Sequence, residues 1–280
     1  MMAPDFVAVG HLTLDRFGDV TRPGGAALFA AVTADRLGLS AGILTSHGED
    51  FPLDAIPPQI EVISVPAPHT TVFEHRREAG RRRLRLVTSA PPISPADVPP
   101  DWLDAELVLL APVFGEVDPA FARTFTEATL AVEAQGWLRA AGPAGEVTPQ
   151  PWTPPRELLN RLLALFVSAE DVRGQESSLT EWLQRLPLAA VTAGRAGALL
   201  YVSGERFEVR ARPSREVDST GAGDVFAAAF LASYRLDGDA WQAAAAAACA
   251  AALSVEGEGW STVPDLAALE EALGEYRARE

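Results

Sequence analysis

The chain has 280 residues, of which 48% are hydrophobic and 22% are charged, so its composition is that of a folded protein rather than a disordered one. Its net charge of −15 argues against sequence-independent binding to nucleic acid, because an acidic surface repels the phosphate backbone. A single cysteine excludes an internal disulfide scaffold, and no run of about 20 strongly apolar residues indicates a membrane span.

Short apolar runs alternate with alanine-rich stretches, a pattern that predicts a parallel sheet with crossover helices. In the first part of the chain, strands are predicted at 6–10, 41–45, 62–65 and 107–110. Gly24 and Gly25 open a predicted helix that ends near Leu37. The segment 69–88 differs, because strands at 70–73 and 83–87 flank a turn near 78–80 and predict a hairpin.

The rest of the chain continues the alternation. Helices are predicted at 119–131, 157–165, 224–235, 240–255 and from 265 onward, a strand at 189–192, and a second hairpin at 198–202 and 207–209. No internal repeat or long linker interrupts this order. We therefore expect a single domain over residues 1–280, with the hairpin at about 69–88 and part of 11–22 as a small excursion from it.

The segment 218–224 carries the clearest chemistry. Gly221 and Gly223 permit a tight turn at the start of a helix, where free backbone N–H groups and the helix dipole favour an anion. Asp224 follows in the first helical turn, where its carboxylate can accept a proton from a hydroxyl while the turn stabilises phosphoryl charge. A bare Gly-x-Gly-Asp is also typical of an ordinary helix start. The full segment and the small-residue helix after it favour phosphoryl transfer to an alcohol.

This segment resembles the C-terminal signature of the ribokinase-like, or PfkB, carbohydrate kinase family. The segments that carry the resemblance are Val9-Gly10 followed by Asp15, Gly24-Gly25, Gly48-Glu49-Asp50, Thr192-Ala193-Gly194 and Asp218-Ser219-Thr220-Gly221-Ala222-Gly223-Asp224. The resemblance implies a three-layer α/β fold whose central, mostly parallel β-sheet is flanked by helices and carries a small β-hairpin lid. It also implies ATP-dependent phosphorylation of a hydroxyl on a sugar or related small molecule.

The resemblance further implies roles for single residues. Asp224 is expected to be the catalytic base. The anion hole is expected at Gly221, Ala222 and Gly223, the acceptor pocket at Asp15, Gly24, Gly25 and Phe29, and the ATP site at Thr192, Gly194 and the stretch 248–252, which includes Cys249. Magnesium is expected with ATP, and some relatives hold a monovalent cation near the equivalents of Asp218 and Thr220.

Three positions depart from the family pattern. Phe29 stands where many relatives carry an acceptor-binding Asn, so either the acceptor is less polar or the ring is a packing substitution. At the position of the N-x-x-E element that orders magnesium and phosphates, the chain has Ser168-Ala169-Glu170-Asp171, so Asp171 or Glu170 is the candidate metal ligand, unless both belong to a solvated helix start. Cys249 stands near the adenine, and its residue type is typical of a small buried hydrophobe.

The hairpin at 69–88 carries the basic cluster of this acidic chain: Arg76, Arg77, Arg81, Arg82, Arg83 and Arg85. One interpretation is that these charges protect exposed edge strands from unwanted pairing. The other is that one or two arginines close over the acceptor and meet a phosphate. The expected partners are a small-molecule alcohol and ATP, without nucleic acid or a membrane, and a homodimer formed through the lid is expected as well.

The sequence lacks the motifs of several other kinds of functional site. The chain has no lysine, which excludes a Walker P-loop, and it has no H-E-x-x-H or G-x-S-x-G segment. The N-terminus lacks the basic and apolar regions of a signal peptide, so a cytoplasmic location is expected. Two alternatives to a sugar kinase stay open. Phe29 favours a nucleoside, inositol or vitamin-precursor kinase, and the altered segment at 168–171 favours a catalytically silent ligand-binding or regulatory protein.

Overall fold

The computed structural model describes residues 2–78 and 81–279. Its strands are β1 (Phe6–Val9), β2 (Thr13–Phe17), β3 (Val20–Gly24), β4 (Ala41–His47), β5 (Glu61–Pro66), β6 (Thr71–Glu78), β7 (Arg81–Thr88), β8 (Leu107–Leu110), β9 (Thr129–Glu133), β10 (Arg139–Ala141), β11 (Val147–Pro149), β12 (Ala164–Ser168), β13 (Leu188–Thr192), β14 (Ala198–Val202) and β15 (Glu205–Val209). Its α-helices are α1 (Ala26–Arg36), α2 (Arg156–Arg161), α3 (Glu176–Leu183), α4 (Ala222–Asp237), α5 (Ala240–Ser254) and α6 (Leu266–Arg277).

The central sheet has the strand order β15-β14-β13-β12-β9-β8-β1-β4-β5. The strands from β13 to β5 run parallel, and β14 and β15 form an antiparallel edge. Parallel strands need crossover connections, so helices cover both faces. One apolar layer contains α1, α4, α5 and α6, and the other contains α2 and α3. This arrangement confirms the expected three-layer α/β fold with a mostly parallel sheet.

Helix α4 positions the segment with the clearest chemistry, and its two ends are fixed by glycines. Gly221 precedes it in the left-handed region with a φ of 80°, and Gly238 follows it with a φ of 71°. The apolar side chains of α4 are buried against α1 and the alanine-rich α5, which begins after Asp239. The Asp239 carboxylate caps α5 by accepting from the first free N–H groups. The small side chains of α5 allow close packing, which fixes the start of α4 over the sheet.

A second, four-stranded sheet in the order β3-β2-β6-β7 contains most of the segments 11–22 and 69–88. We call it the lid sheet. Asp50 holds the point where the chain enters it, because Oδ1 of Asp50 accepts from the Thr70 backbone N–H (3.1 Å) and hydroxyl (2.6 Å). At the outer strand β7, the Leu86 N–H donates to the Gly145 carbonyl (2.8 Å). Of the turn predicted near 78–80, residues 79 and 80 lie outside the described residues.

Two helix predictions were wrong. The segment 119–131 forms a short 3₁₀ helix at Pro119–Arg123 and then β9, which lies between β8 and β12 in the central sheet. The segment 157–165 is helical only to Arg161, because β12 begins at Ala164. Both errors came from apolar runs with alanine that were assigned to helices, although they are short and fully buried strands.

In the described residues, no helix is long and apolar enough to cross a membrane.

Candidate active site

A cavity of about 1330 Å³ lies at the carboxyl ends of the parallel strands, between the central sheet, the lid sheet and the start of α4. Its wall brings together most of the residues that the sequence suggested: Asp15, Gly25, Phe29, Glu170, Asp171, Thr192, Gly194, Thr220, Gly221, Ala222, Gly223 and Asp224. Gly24, Asp218 and Cys249 lie outside that wall. Residues from the N-terminal and the C-terminal half of the chain therefore line the same cavity.

The turn before α4 is shaped by Phe29. A Cβ atom on Gly221 would lie 2.2 Å from Cδ1 of Phe29, whereas a Cβ atom on Gly223 would meet nothing within 4 Å. Phe29 is only 2% exposed and makes an edge-to-face contact with Trp260, with ring centroids 6.1 Å apart. This geometry favours the packing interpretation of Phe29, since most of the ring supports the turn and little of it faces the cavity.

Asp224 is 8% exposed, and its carboxylate is held by a short series of polar contacts. Gln135 Nε2 donates to Asp224 Oδ1 (3.1 Å), and Arg139 donates to Gln135 Oε1 (2.8 Å). Burial raises the pKa of Asp224 from 3.8 to about 6, while a hydrogen bond with Glu133, the charge of Arg139 and the Gln135 contact act in the opposite direction. Near neutral pH the group is therefore ionised and close to its pKa, as a general base requires.

Glu133 is the second buried acid of the site. It ends β9, it is 4% exposed, and it lines the cavity beside Asp224. Its pKa is raised well above the ordinary value, first by burial and then by the negative charge of Asp224 and the hydrogen bond between the two groups. A protonated Glu133 beside an ionised Asp224 is consistent with both pKa directions, because only the protonated acid can donate the shared hydrogen bond.

Sequence reasoning missed Glu133, Gln135 and Arg139. Because 119–131 was assigned to a helix, the position of Glu133 at the carboxyl end of a central strand was not recognised. The available signal was a lone acid directly after the apolar run at 130–132, since polar residues at that end of a parallel sheet are candidates for a site.

Asp15 lies on β2 at the lid side of the cavity and is 6% exposed. Its Oδ1 accepts from the Thr13 hydroxyl (3.2 Å), and His75 Nε2 on β6 lies 3.4 Å from the same oxygen. Gly24 pairs with β2 so closely that a Cβ atom there would lie 2.3 Å from Asp15 Oδ2. Gly24 thus leaves room for the carboxylate, and His75 is a further polar group that the sequence did not single out.

Three arginines of the basic cluster, Arg76, Arg83 and Arg85, have side chains that the structure describes, and they take two kinds of position; the side chains of Arg77, Arg81 and Arg82 lie outside the described part of the chain. Arg76 and Arg85 form ion pairs with Glu74 at 2.9 and 3.3 Å, respectively. Arg83 lines the cavity instead. The position of Arg83 fits the interpretation that one arginine faces a substrate, while Arg76 and Arg85 neutralise a carboxylate on the sheet.

The half of the cavity opposite the lid sheet is formed by the ends of β12 and β13 and by α5. Thr192 and Gly194 lie at the end of β13, and Ala248, Ala251 and Ala252 form an apolar wall. The expectation that Cys249 contacts a nucleotide needs correction. Its side chain is fully buried and its thiol donates to the Ala272 carbonyl of α6 (3.7 Å), on the side of α5 that packs into the core.

Two carboxylates that follow the end of β12 also line the cavity. Asp171 Oδ2 accepts from the Ser168 hydroxyl (2.8 Å), and Glu170 beside it is exposed. Among the side chains that the structure describes, no three or more of His, Cys, Asp or Glu are grouped so that they could hold a metal ion by themselves. One or two carboxylates do suit magnesium, which keeps several waters and takes its other ligands from substrate phosphates.

Comparison with known sequences identifies relatives. Residues 162–266 match the pfkB family carbohydrate kinase domain. The chain is 28% identical over 259 residues to a cytidine kinase of Thermococcus kodakarensis, covering 82% of this chain and 88% of the relative. It is 32% identical over 229 residues to an inositol 3-kinase of Oryza sativa subsp. japonica, covering 74% of this chain. The match spans only 56% of that relative, so the chain corresponds to little more than half of the inositol kinase.

Solved structures with the same fold cover nearly the whole chain. A pyrophosphate-dependent kinase in the ribokinase family, solved with sulfate, superposes with a TM-score of 0.80 over 95% of this chain and 99% of its own, at 20% identity. A ribokinase of Arabidopsis thaliana, solved with ribose and ATP, superposes with a TM-score of 0.73 over 97% and 99%, also at 20% identity. At this identity the likeness establishes the fold alone.

Proposed function

We propose that the chain, whose residues 162–266 match the pfkB family carbohydrate kinase domain, is a ribokinase-like kinase that transfers the γ-phosphoryl group of ATP to a hydroxyl of a sugar or related small molecule. One observation carries the proposal. A buried, ionisable Asp224 at the start of α4 faces the same cavity as Asp15, across a glycine turn that suits an anion. This is the arrangement that in-line transfer to an alcohol needs.

In the proposed reaction, Asp224 acts as the general base. Its carboxylate accepts the hydroxyl proton of the acceptor as the acceptor oxygen forms a bond to the γ-phosphorus. The bond between that phosphorus and the bridging oxygen of ADP breaks, and ADP carries away the electron pair. Backbone N–H groups of Gly221, Ala222 and Gly223 stabilise the charge on the phosphoryl oxygens, because the first N–H groups of a helix have no intrahelical acceptor.

The donor is proposed to lie along β13 and α5. Thr192 and Gly194 bound the phosphate side, and the apolar wall of Ala248, Ala251 and Ala252 suits the face of an adenine ring. Asp171 or Glu170 would hold magnesium through its waters, and the ion would supply charge neutralisation to the phosphates. Since one structural relative is a pyrophosphate-dependent kinase, pyrophosphate is the donor against which ATP has to be compared.

The acceptor is proposed to bind between Asp15, His75 and Arg83 beneath the lid sheet, which would exclude water from the phosphoryl group. The relatives favour two acceptor classes besides simple sugars, a nucleoside and a cyclitol. Phe29 was a reason to expect a nucleoside acceptor. That reason is weakened, because the Phe29 ring packs against Gly221. Asp15 can accept hydrogen bonds from hydroxyls of any of these acceptors. A homodimer through the lid sheet stays a prediction for solution measurements.

The experiment that tests this function is acceptor-dependent release of ADP from MgATP across sugars, polyols, nucleosides and sugar phosphates, with pyrophosphate as the alternative donor. Turnover with one acceptor class, lost in Asp224→Asn, would support the proposal and name the class. ATP binding without turnover on any acceptor would contradict it and favour the catalytically silent binding protein.

A further inference from the structure

Arg22, on β3 of the lid sheet, reaches out to the segment that precedes α4. Its NH1 lies 3.6 Å from Asp218 Oδ2, and its NH2 lies 2.9 Å from Glu258 Oε2. The Arg22 and Asp218 side chains are 29% and 17% exposed, so this ion pair is only partly accessible to solvent. Partial burial reduces screening by salt, which makes the pair stronger than an ordinary surface pair.

Asp218 itself holds the anion turn in shape. Its Oδ1 accepts from the Thr220 N–H (3.0 Å), and its Oδ2 accepts from the Gly259 N–H (3.5 Å). The Asp218 backbone N–H in turn donates to the Val255 carbonyl. A change in the charge around Asp218 would therefore act on the turn that is proposed to bind the phosphoryl group.

The surroundings of Asp218 do not fit the monovalent cation expected near Asp218 and Thr220. A sodium or potassium ion needs several oxygen ligands, but the groups directed at this carboxylate are two N–H donors and a guanidinium. An added cation would be repelled by Arg22. The donor set therefore indicates that the positive charge near Asp218 comes from the chain itself.

Arg22 is also connected to the acceptor side of the cavity. Its guanidinium lies over the ring of Phe17, 5.4 Å from the centroid, and Phe17 stacks on His75 with centroids 4.4 Å apart. His75 Nε2 lies 3.4 Å from Asp15. A continuous series of contacts thus links the carboxylate proposed to bind the acceptor with the turn proposed to bind phosphate.

We propose that Arg22 is a positioning residue that replaces a monovalent cation at Asp218 and ties the lid sheet to the anion turn. The proposal rests on the proposed phosphoryl transfer for its effect on rate. Turnover of the wild-type protein should then be independent of sodium and potassium ions, unlike that of a kinase whose anion turn is ordered by a bound cation.

The test compares Arg22→Gln, Arg22→Lys and the control Arg16→Gln, which changes an exposed arginine on the same sheet. kcat and KM are measured with potassium and with tetramethylammonium in its place. Wild type and Arg16→Gln should be equally active in both salts. Arg22→Gln should lose about tenfold in kcat in tetramethylammonium, as expected for loss of one charge-assisted contact. Potassium should restore part of that loss, and Arg22→Lys should retain most of the activity.

A thermal melt in the same two salts tests the inference without any turnover. Potassium should raise the Tm of Arg22→Gln and leave that of the wild type unchanged, since only the variant has an uncompensated Asp218. The inference is overturned if wild-type activity or stability requires potassium, or if Arg22→Gln matches the wild type in both salts. If no protein turns over while potassium stabilises Arg22→Gln alone, the inference stands and the proposed function fails.

Discussion

Replacing Asp224 by Asn should lower turnover roughly 100-fold or more and at the same time stabilise the fold. The rise in the pKa of Asp224 from 3.8 to about 6 means that burial disfavours the ionised form. At 1.36 kcal/mol for each pKa unit, the charged Asp224 carboxylate lowers the free energy of unfolding by about 3 kcal/mol near neutral pH. Because Asn carries no charge, Asp224→Asn should raise the free energy of unfolding by up to that amount. The gain is reduced by the hydrogen bonds that the Asn side chain makes less well than the carboxylate.

The sign of this effect depends on pH in a defined way. A raised folded-state pKa favours the folded protein below the pKa of the unfolded chain, and that advantage is lost as the pH rises through about 6. The stabilisation by Asp224→Asn should therefore be largest above pH 6 and fade towards pH 4. A domain of this size gains roughly 2–4 °C in Tm for each kcal/mol, so the Tm should rise by several degrees at about pH 8.

The assay combines Tm against pH with acceptor-dependent ADP release, for wild type, Asp224→Asn and the exposed control Glu271→Gln. Turnover of Asp224→Asn should fall roughly 100-fold or more, as expected when a general base is lost. Glu271→Gln should change neither quantity. An unchanged or lowered Tm of Asp224→Asn at every pH would refute the claim that the ionised Asp224 carboxylate destabilises the fold. Near wild-type turnover of the same variant would refute the role of Asp224 as the base.

Three further predictions concern the same site. The wild-type kcat/KM should fall as the pH drops below about 6, because Asp224 then takes up a proton; a flat profile down to pH 5 would contradict this. Glu133→Leu should move that acid limb to higher pH by roughly one unit, since it removes a hydrogen bond to a charged group, whereas Glu133→Gln keeps a donor and should leave the limb near its wild-type position. Gly221→Ala should lower the Tm, because its Cβ atom would collide with Phe29 from a left-handed backbone, while Gly223→Ala should melt like the wild type; equal Tm values for the two variants would count against this packing.

The sequence predicted the general architecture because long periodic and alanine-rich segments are distinctive. The helices at α1, α4 and α5 and the glycine turn before α4 were confirmed within a few residues. The short strands β9 and β12 were assigned to helices, since their apolar runs are buried on both faces and lack the alternation that marks an exposed strand. Only tertiary context, in which both strands lie in the central sheet, separates these cases.

The site was predictable where it rests on a compact local motif and not where it depends on distant pairing. The residues at 218–224 lie together in sequence, so Asp224 and the anion turn could be placed from their order alone. Glu133 and Arg22 reach the same region from other elements, and no spacing in the sequence relates them to Asp224 or Asp218. The role of Phe29 also needed the structure, because only the contact with Gly221 distinguishes packing from ligand binding.

The most direct test of the central claim is to identify and count the products of a single reaction mixture containing the protein, MgATP and the preferred acceptor. Mass spectrometry of the acceptor and quantitation of ADP should give one phosphorylated acceptor for each ADP with the wild type, and roughly 100-fold less of both products with Asp224→Asn in the same time. ADP formed without a phosphorylated acceptor, or equal amounts of product from Asp224→Asn, would contradict transfer to an alcohol with Asp224 as the base.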